Sequence, residues 1–313
     1  MDRKVLEGIK PYNDFFFKSC YYHQLISGLS LFGIHKDNIL LNYLTTIKKG
    51  FLTEKEAIFS EKVLAKLLGF KSKIYKFNEK TLIKNISRGN PLIVGVDCYY
   101  LESRVSTYLK SHDPHYILVY GYDKVARQAF VVDHDYRNSI DYAEKVIDLD
   151  NLLLANRMLS KNKVYGLFSS KALIKKKSNK EIRLLDYIPR QVFVQNLENS
   201  IDNIAKLKQW IIEDVNKIKE LEDRLTQYMF DLKTWNICLS KSEQIDDKEI
   251  AFYLSEIANA YSNILTVFWK MKTQNNYQYI FDRREAVFRK LQQIVELEDK
   301  VCNYFLEGRN GLL

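Results

Sequence analysis

The hydrophobic pattern changes character once along the 313-residue chain, near residue 170, and this change constrains the fold more than any other feature. Before it, helical periods alternate with short β-branched runs. After Phe193, apolar residues fall almost wholly at helical spacing. A helix-period pattern does not settle as a strand. The chain therefore reads as an α+β domain followed by an all-α helical bundle, and two domains also suit its length. Between the halves lies KALIKKKSNKEIR, a lysine-rich stretch read as a solvated connector rather than a binding patch. The expected division is 1–170 for the α+β domain, 171–183 for the basic linker and 184–313 for the bundle.

In the first half, Tyr22, Leu25, Ile26, Leu29 and Phe32 share one helical face, which predicts a helix over Cys20–Phe32 stopped by Gly33. Residues 36–48 and 53–68 read as two more helices, the second with Thr53 as N-cap and Glu56 at capping-box spacing. Lys73–Phe77 is a short strand candidate. Glu79–Arg88 reads as a helix ended by Gly89-Asn90-Pro91. Leu92–Val96, His115–Tyr122 and Ala129–Asp133 read as strands, the last two joined by a tight connection, with Val164–Ser169 as a fourth. A helix packed on a small antiparallel sheet is an α+β arrangement.

In the second half, Leu197–Phe230 carries apolar residues at helical spacing, and Ile250–Met271 and Tyr279–Leu306 do the same. Three or four helices joined by short turns are expected. Trp210, Trp235, Trp269, Phe252 and Phe268 read as bundle core, with the lining of an elongated substrate channel as the lesser reading.

Composition removes several classes. With 11 Gly and 4 Pro, collagen-like and linker-rich architectures are excluded. No apolar run approaches the ~18 residues of a membrane span. The start, MDRKVLEGIKPYND, lacks the apolar core of a signal peptide, so a soluble, cytoplasmic protein is expected. The net charge of +9 favours acidic partners, whether nucleic acid, an acidic protein or a phosphorylated cofactor. There is no zinc finger, RNA-recognition motif or glycine-rich phosphate loop. Cys20, Cys98, Cys238 and Cys302 are scattered, with no CxxC pair and no Cys/His cluster at zinc spacing, so reduced thiols and no metal are expected.

One of these thiols stands out by position. Cys20 follows the aromatic loop Asp14–Ser19 and opens a predicted helix. A helix N-terminus offers free N–H groups and the positive end of the macrodipole, which stabilise a thiolate. His115 begins an apolar strand and could bring its imidazole to that helix start, as Cys–His nucleophilic catalysis requires. His112 is the rival, in a preceding loop where solvation is expected. His23 lies one turn into the Cys20 helix, and His35 lies beyond its end. A third group should orient the imidazole. Asp133 ends the next strand. Asp135 shares its face, so alternation does not separate the two, and Asp133 is favoured because it terminates the run AFVV. For the cysteine and for Asp133 the plainer reading is structural: a small buried hydrophobe and an ordinary strand-end turn carboxylate.

Residues 89–101 (GNPLIVGVDCYYL), His115–Asp123 (HYILVYGYD) and Phe130–Asp133 (FVVD) resemble the N-terminal domain of butirosin-biosynthesis protein H. That family is a papain-like relative of the bacteriocin-processing cysteine peptidases, and the resemblance spans roughly residues 10–170. It implies a papain-like fold and a thiol acyltransferase, with Cys20 as nucleophile, His115 as base and Asp133 as orienter. The acyl group would come from a carrier-protein thioester on a phosphopantetheine arm, with no other cofactor, and would pass to an amine. This is chemistry of nonribosomal-peptide and antibiotic assembly. Asp97, Tyr99, Tyr100 and Tyr22 are the substrate-binding candidates. One departure stands out. Papain-like enzymes place a Gln about six residues before the cysteine, and this chain has Asp14 there, with Asn13 beside it. An ionised carboxylate cannot donate to an oxyanion, which leaves Asn13 or the backbone N–H of Cys20. Two other readings stay open: a cysteine peptidase or amidase of the same fold, and a non-catalytic scaffold. The long helices also offer a surface for a homodimer, though no feature demands one.

Overall fold

The structure, a computed structural model, describes residues 2–13, 20–42, 46–54, 57–134, 141–161, 169–176 and 183–307. In chain order the elements begin with β1 (Arg3–Val5), α1 (Cys20–Ser30), α2 (Lys36–Leu41), β2 (Thr46–Lys48), β3 (Leu52–Glu54) and α3 (Glu61–Leu67). Next come β4 (Phe70–Ile74), α4 (Glu79–Ser87), β5 (Leu92–Asp97), β6 (Pro114–Asp123), β7 (Gln128–His134), β8 (Tyr142–Asp148), α5 (Leu149–Lys161) and β9 (Lys171–Lys175). The remainder is helical: α6 (Arg190–Glu213), α7 (Val215–Glu220), α8 (Glu222–Ser240), α9 (Lys248–Thr273), α10 (Gln278–Asp282) and α11 (Arg284–Glu307).

The chain forms two compact units, one from residues 1–39 and 59–182, the other from 40–58 and 183–313. The expected mixed α and antiparallel-β class, with a helical C-terminal half, is what the structure has. In the first unit the sheet order is β4-β9-β5-β6-β7-β8, with β1 also pairing β6, and every pairing is antiparallel. The centre of β5 and β6 is apolar and fully buried because both faces are covered. Helix α1 packs on β5 and β6. Its Gly28 allows the close approach: a Cβ would come within 2.6 Å of the Leu173 side chain and 3.1 Å of Leu118, and those side chains would have to shift. Gly33, at φ +73°, turns the chain out of this helix as expected. The register sets His115 opposite Val96, and Leu118 opposite Val132. His115 and Asp133 thus reach the same end of the sheet.

A sequence expectation fails within the first unit. Lys171–Lys175 of the expected linker is strand β9, in register with β4 from Ile74↔Lys171 to Phe70↔Lys175. Its lysines flank Ala172 and Leu173, which are buried, and the flanking charge hid a strand centre. Strand β8 and helix α5 are additional to the elements the sequence pattern predicts. β8 is an edge strand, where Glu144 and Lys145 interrupt the apolar alternation. The proposed strand over 164–169 falls almost wholly outside the described residues, as does the rest of the linker at 177–182.

The expected helices at 36–48 and 53–68 are corrected. Of the described residues in these stretches only Lys36–Leu41 and Glu61–Leu67 are helical, and between them β2 and β3 form a hairpin. Thr53 is not an N-cap. It lies in β3 and donates to Asp231 Oδ2 at 2.6 Å, while Glu56 lies outside the described residues. The reason is a row of asparagines on α6. Asn196 Oδ1 accepts from Ile47 N–H (2.9 Å), Asn199 donates to Ile47 C=O (2.8 Å), and Asn203 joins Gly50 N–H (3.0 Å) and Lys48 C=O (2.9 Å). These bonds replace the backbone partners a helix would have supplied. Phe51, at φ +60°, fills the space between Trp210 and Tyr228. Helices α8, α9 and α11 pack together, with Phe268 buried in that core. Trp269 (67% exposed) and Phe252 (59%) face outward, contrary to expectation. Trp235 borders a cavity of about 70 Å³ with Phe193 and Phe305, too small for an elongated substrate. No helix of the described residues is long and apolar enough to cross a membrane.

Asn203 is fully buried, so Asn203→Leu leaves the Gly50 N–H and Lys48 C=O unpaired and should lower stability by about 2 kcal/mol. Urea unfolding followed by tryptophan fluorescence reads this, because all three tryptophans lie in the second unit. A loss below about 0.5 kcal/mol would show that water replaces both bonds.

Candidate active site

Cys20 is the first residue of α1, so its sulfur sits where unpaired helix N–H groups gather. The other three cysteines are buried, while Cys20 is half-buried. Burial alone would raise its pKa. A hydrogen bond to His115, the charge of that imidazole, and bonds to the Tyr116 and Tyr21 backbones outweigh burial and hold the thiol below its ordinary value. Cys98 is the contrast: burial pushes it up to about 12.

His115 lies near the start of β6 and is only 6% exposed. Its Nε2 donates to Asp133 Oδ1 at 3.1 Å. That leaves Nδ1 for the Cys20 thiol, with which the ring also hydrogen-bonds. Burial favours the neutral ring, but the Asp133 and Cys20 bonds win and raise the His115 pKa, with the Arg104 charge opposing. Asp133, on β7, is 1% exposed. Burial resists its ionisation; the His115 bond and the Arg104 charge overcome this and hold its carboxyl well below the usual carboxylate range. The structure thus brings Cys20, His115 and Asp133 into one hydrogen-bonded line. Asp135 lies outside the described residues, as do Asp14 and the aromatic loop to Ser19.

Arg104 and His134, which the sequence pattern does not single out, complete the site together with His23. Arg104, in the loop after the turn at Cys98–Tyr100, is wholly buried. It grips Asp133 with two donors, Nε to Oδ2 at 3.0 Å and Nη2 to Oδ1. The His134 N–H donates to the same Oδ1 at 2.8 Å. Two further histidines flank the line. His134 lies 5.5 Å from His115, centroid to centroid, and 4.0 Å from Tyr142, and His23 stacks on Tyr142 at 4.8 Å. Burial, helped by the charges of His115 and Arg104, pushes His134 down to about 4. Burial and the His115 charge also lower His23, against its bond to the Tyr12 carbonyl. Of these three neighbouring rings, His115 alone is raised.

Asn13 stands beside this group, with its carboxamide bound to both backbone groups of Tyr142, at 2.9 and 2.6 Å. The oxyanion role expected of it therefore has only its second amide hydrogen. Asp97, Tyr99 and Tyr100 form a separate cluster. Asp97 accepts from Tyr99 N–H (3.1 Å) and pairs with His112 Nδ1 (2.7 Å), and the His112 ring stacks on Tyr99 at 4.5 Å. His112 is thus paired rather than simply solvated. Tyr22 meets Tyr21, which in turn meets Tyr116 edge-on.

The fold and this line of side chains define a mixed α/β unit built to hold an ionisable thiol against an oriented imidazole. Residues 33–134 match the family described as butirosin biosynthesis protein H, N-terminal, the family the sequence resembles. The match covers about a third of the chain and is to a biosynthetic family. It contains Arg104, His115 and Asp133 and begins after Cys20. No curated protein matches the chain.

A thiol held low by an imidazole should react with iodoacetamide at pH 6, where an ordinary cysteine is about 0.3% thiolate. Cys20 is expected to label first in the folded protein. His115→Ala should slow labelling at pH 6 by at least about tenfold and move its rise to higher pH, because the group that lowers the thiol is gone. Peptide mapping after timed labelling checks both; equal rates in the two proteins would dismiss the pairing.

Proposed function

We propose that the chain is a cysteine-dependent acyltransferase that moves an acyl group from a carrier-protein thioester to an amine in specialised-metabolite assembly. The observation that supports it best is the Cys20–His115–Asp133 line, with a lowered thiol at a helix start and a raised imidazole beside it. The match to a biosynthetic family supports the setting.

In this reading the Cys20 thiolate attacks the thioester carbonyl, and the carrier's phosphopantetheine thiol leaves with a proton from His115. An acyl-enzyme results. The amine then attacks that second thioester, His115 takes its proton at Nδ1, the C–S bond breaks, and an amide departs. Thioester aminolysis runs downhill, so ATP is not needed. Asp133 fixes the ring so that Nδ1 faces the sulfur. The Cys20 N–H at the helix start is the first oxyanion donor, with the remaining amide hydrogen of Asn13 as the second candidate. Tyr22, Tyr99, Tyr100 and Asp97 are the residues to test for substrate contact. The net charge of +9 suits an acidic carrier protein. A cytoplasmic setting would keep the nucleophile reduced.

Intact-protein mass spectrometry with short acyl thioesters tests this, with Cys20→Ala in parallel. An acyl adduct on the wild type alone, discharged faster by an added amine than by water, is expected. Discharge by water alone would make the protein a hydrolase. No adduct, together with a Cys20 slow toward iodoacetamide, would leave a scaffold.

A further inference from the structure

The Asp133 carboxylate does not face His115 alone. Its Oδ1 takes the His115 Nε2–H, the His134 N–H and one Arg104 N–H, and its Oδ2 takes another Arg104 N–H. Arg104 is fully buried. It stays cationic in proteins. The orienter of the histidine is therefore an Arg–Asp ion pair whose two charges cancel.

We propose that Arg104 is a positioning residue that cancels the Asp133 charge, so that His115 is a cation only while Cys20 is a thiolate. The inference rests on the thiol-transfer reading above. Among the described residues, the ionisable groups that face His115 come from three elements. Cys20 and His23 approach from α1, Asp133 and His134 from β7, and Arg104 from its loop. His23 and His134 are held toward neutrality, which leaves four charged groups in this hydrogen-bonded set. In the resting enzyme the thiolate (−1), imidazolium (+1), carboxylate (−1) and guanidinium (+1) sum to zero.

Acylation changes that sum. The sulfur becomes a neutral thioester, and a protonated His115 would leave one uncompensated positive charge in a buried site. Such a charge is expensive, so His115 gives up its proton. It goes to the departing carrier thiolate, which leaves as a thiol. His115 is then a neutral base when the amine arrives. The amine lone pair forms the C–N bond, the C–S bond breaks with its electrons on Cys20, and the amine proton moves to His115 Nδ1. The thiolate–imidazolium pair is restored, and no proton need come from solvent. Without Arg104, the bare Asp133 carboxylate would keep His115 protonated after acylation, and it could not accept the amine proton at neutral pH.

The test uses the full chain with Cys20 alkylated by iodoacetamide, which gives a neutral sulfur like that of the acyl-enzyme. His115 is titrated by ¹⁵N NMR in the wild type, Arg104→Met, Asp133→Asn and the double variant. Relative to the wild type, Arg104→Met should raise the His115 midpoint and Asp133→Asn should lower it, each by about one pH unit or more. The double variant, again neutral at the orienter, should return close to wild type. A purely structural Arg104 would not be rescued by Asp133→Asn. Should Arg104→Met fail to fold, Asp133→Asn and the double variant still decide the matter. Equal midpoints in the wild type, Asp133→Asn and the double variant would overturn the inference. The midpoints are also measurable in Cys20→Ala, so they stand or fall separately from acyl transfer, which the mass-spectrometric assay reads.

Discussion

Burying Asp133 at 1% exposure and Arg104 at 0% removes two charges from water beneath the strand ends. Each alone would be ruinous there, and together they hold only because the guanidinium meets the carboxylate with two donors. Everything else at the site is arranged on this pair. Asp133 is fixed by Arg104 and by the His134 N–H, His115 is fixed by Asp133, and the Cys20 thiol is held low by His115. The sheet supplies the geometry, since adjacent antiparallel strands carry His115 and Asp133 to one end, and α1 packs on β5 and β6.

Three imidazoles close together would be a liability if all could charge. His23 and His134 avoid this by burial and by repulsion from His115. Tyr142 is packed between them, and its backbone is tied to Asn13. That arrangement confines the positive charge to the one ring that touches the thiol. It also explains why Asn13 is a weaker oxyanion candidate than its place in the sequence suggests.

Much of this was legible from residue order. Cys20 at a helix start, His115 at a strand start and Asp133 at a strand end are positions that element boundaries reveal, and boundaries follow from periodicity and from Gly33, Gly89 and Pro91. Arg104 was not legible. Its partner is 29 residues away, and an arginine after Leu-Glu-Ser reads as solvated loop. The helices expected at 36–48 and 53–68 failed for a related reason. Their local pattern was helical, but Asn196, Asn199 and Asn203 on a distant helix offered the backbone a different set of partners. The lysines around Ala172 and Leu173 concealed a buried strand in the same way that an exposed face conceals Trp269 in a helical period. Long-range partners decided each of these, and no local window contains them.

The central claim is that a single positive charge, on His115, is held among three neighbouring histidines by the thiolate of Cys20. ¹⁵N NMR of the histidine-labelled, unmodified protein at pH 6.5 addresses it most directly. Both His115 nitrogens should be protonated, His23 and His134 should be neutral, and Cys20→Ala should turn His115 neutral as well. A neutral His115 in the wild type, or a charged His115 that ignores the loss of Cys20, would contradict it.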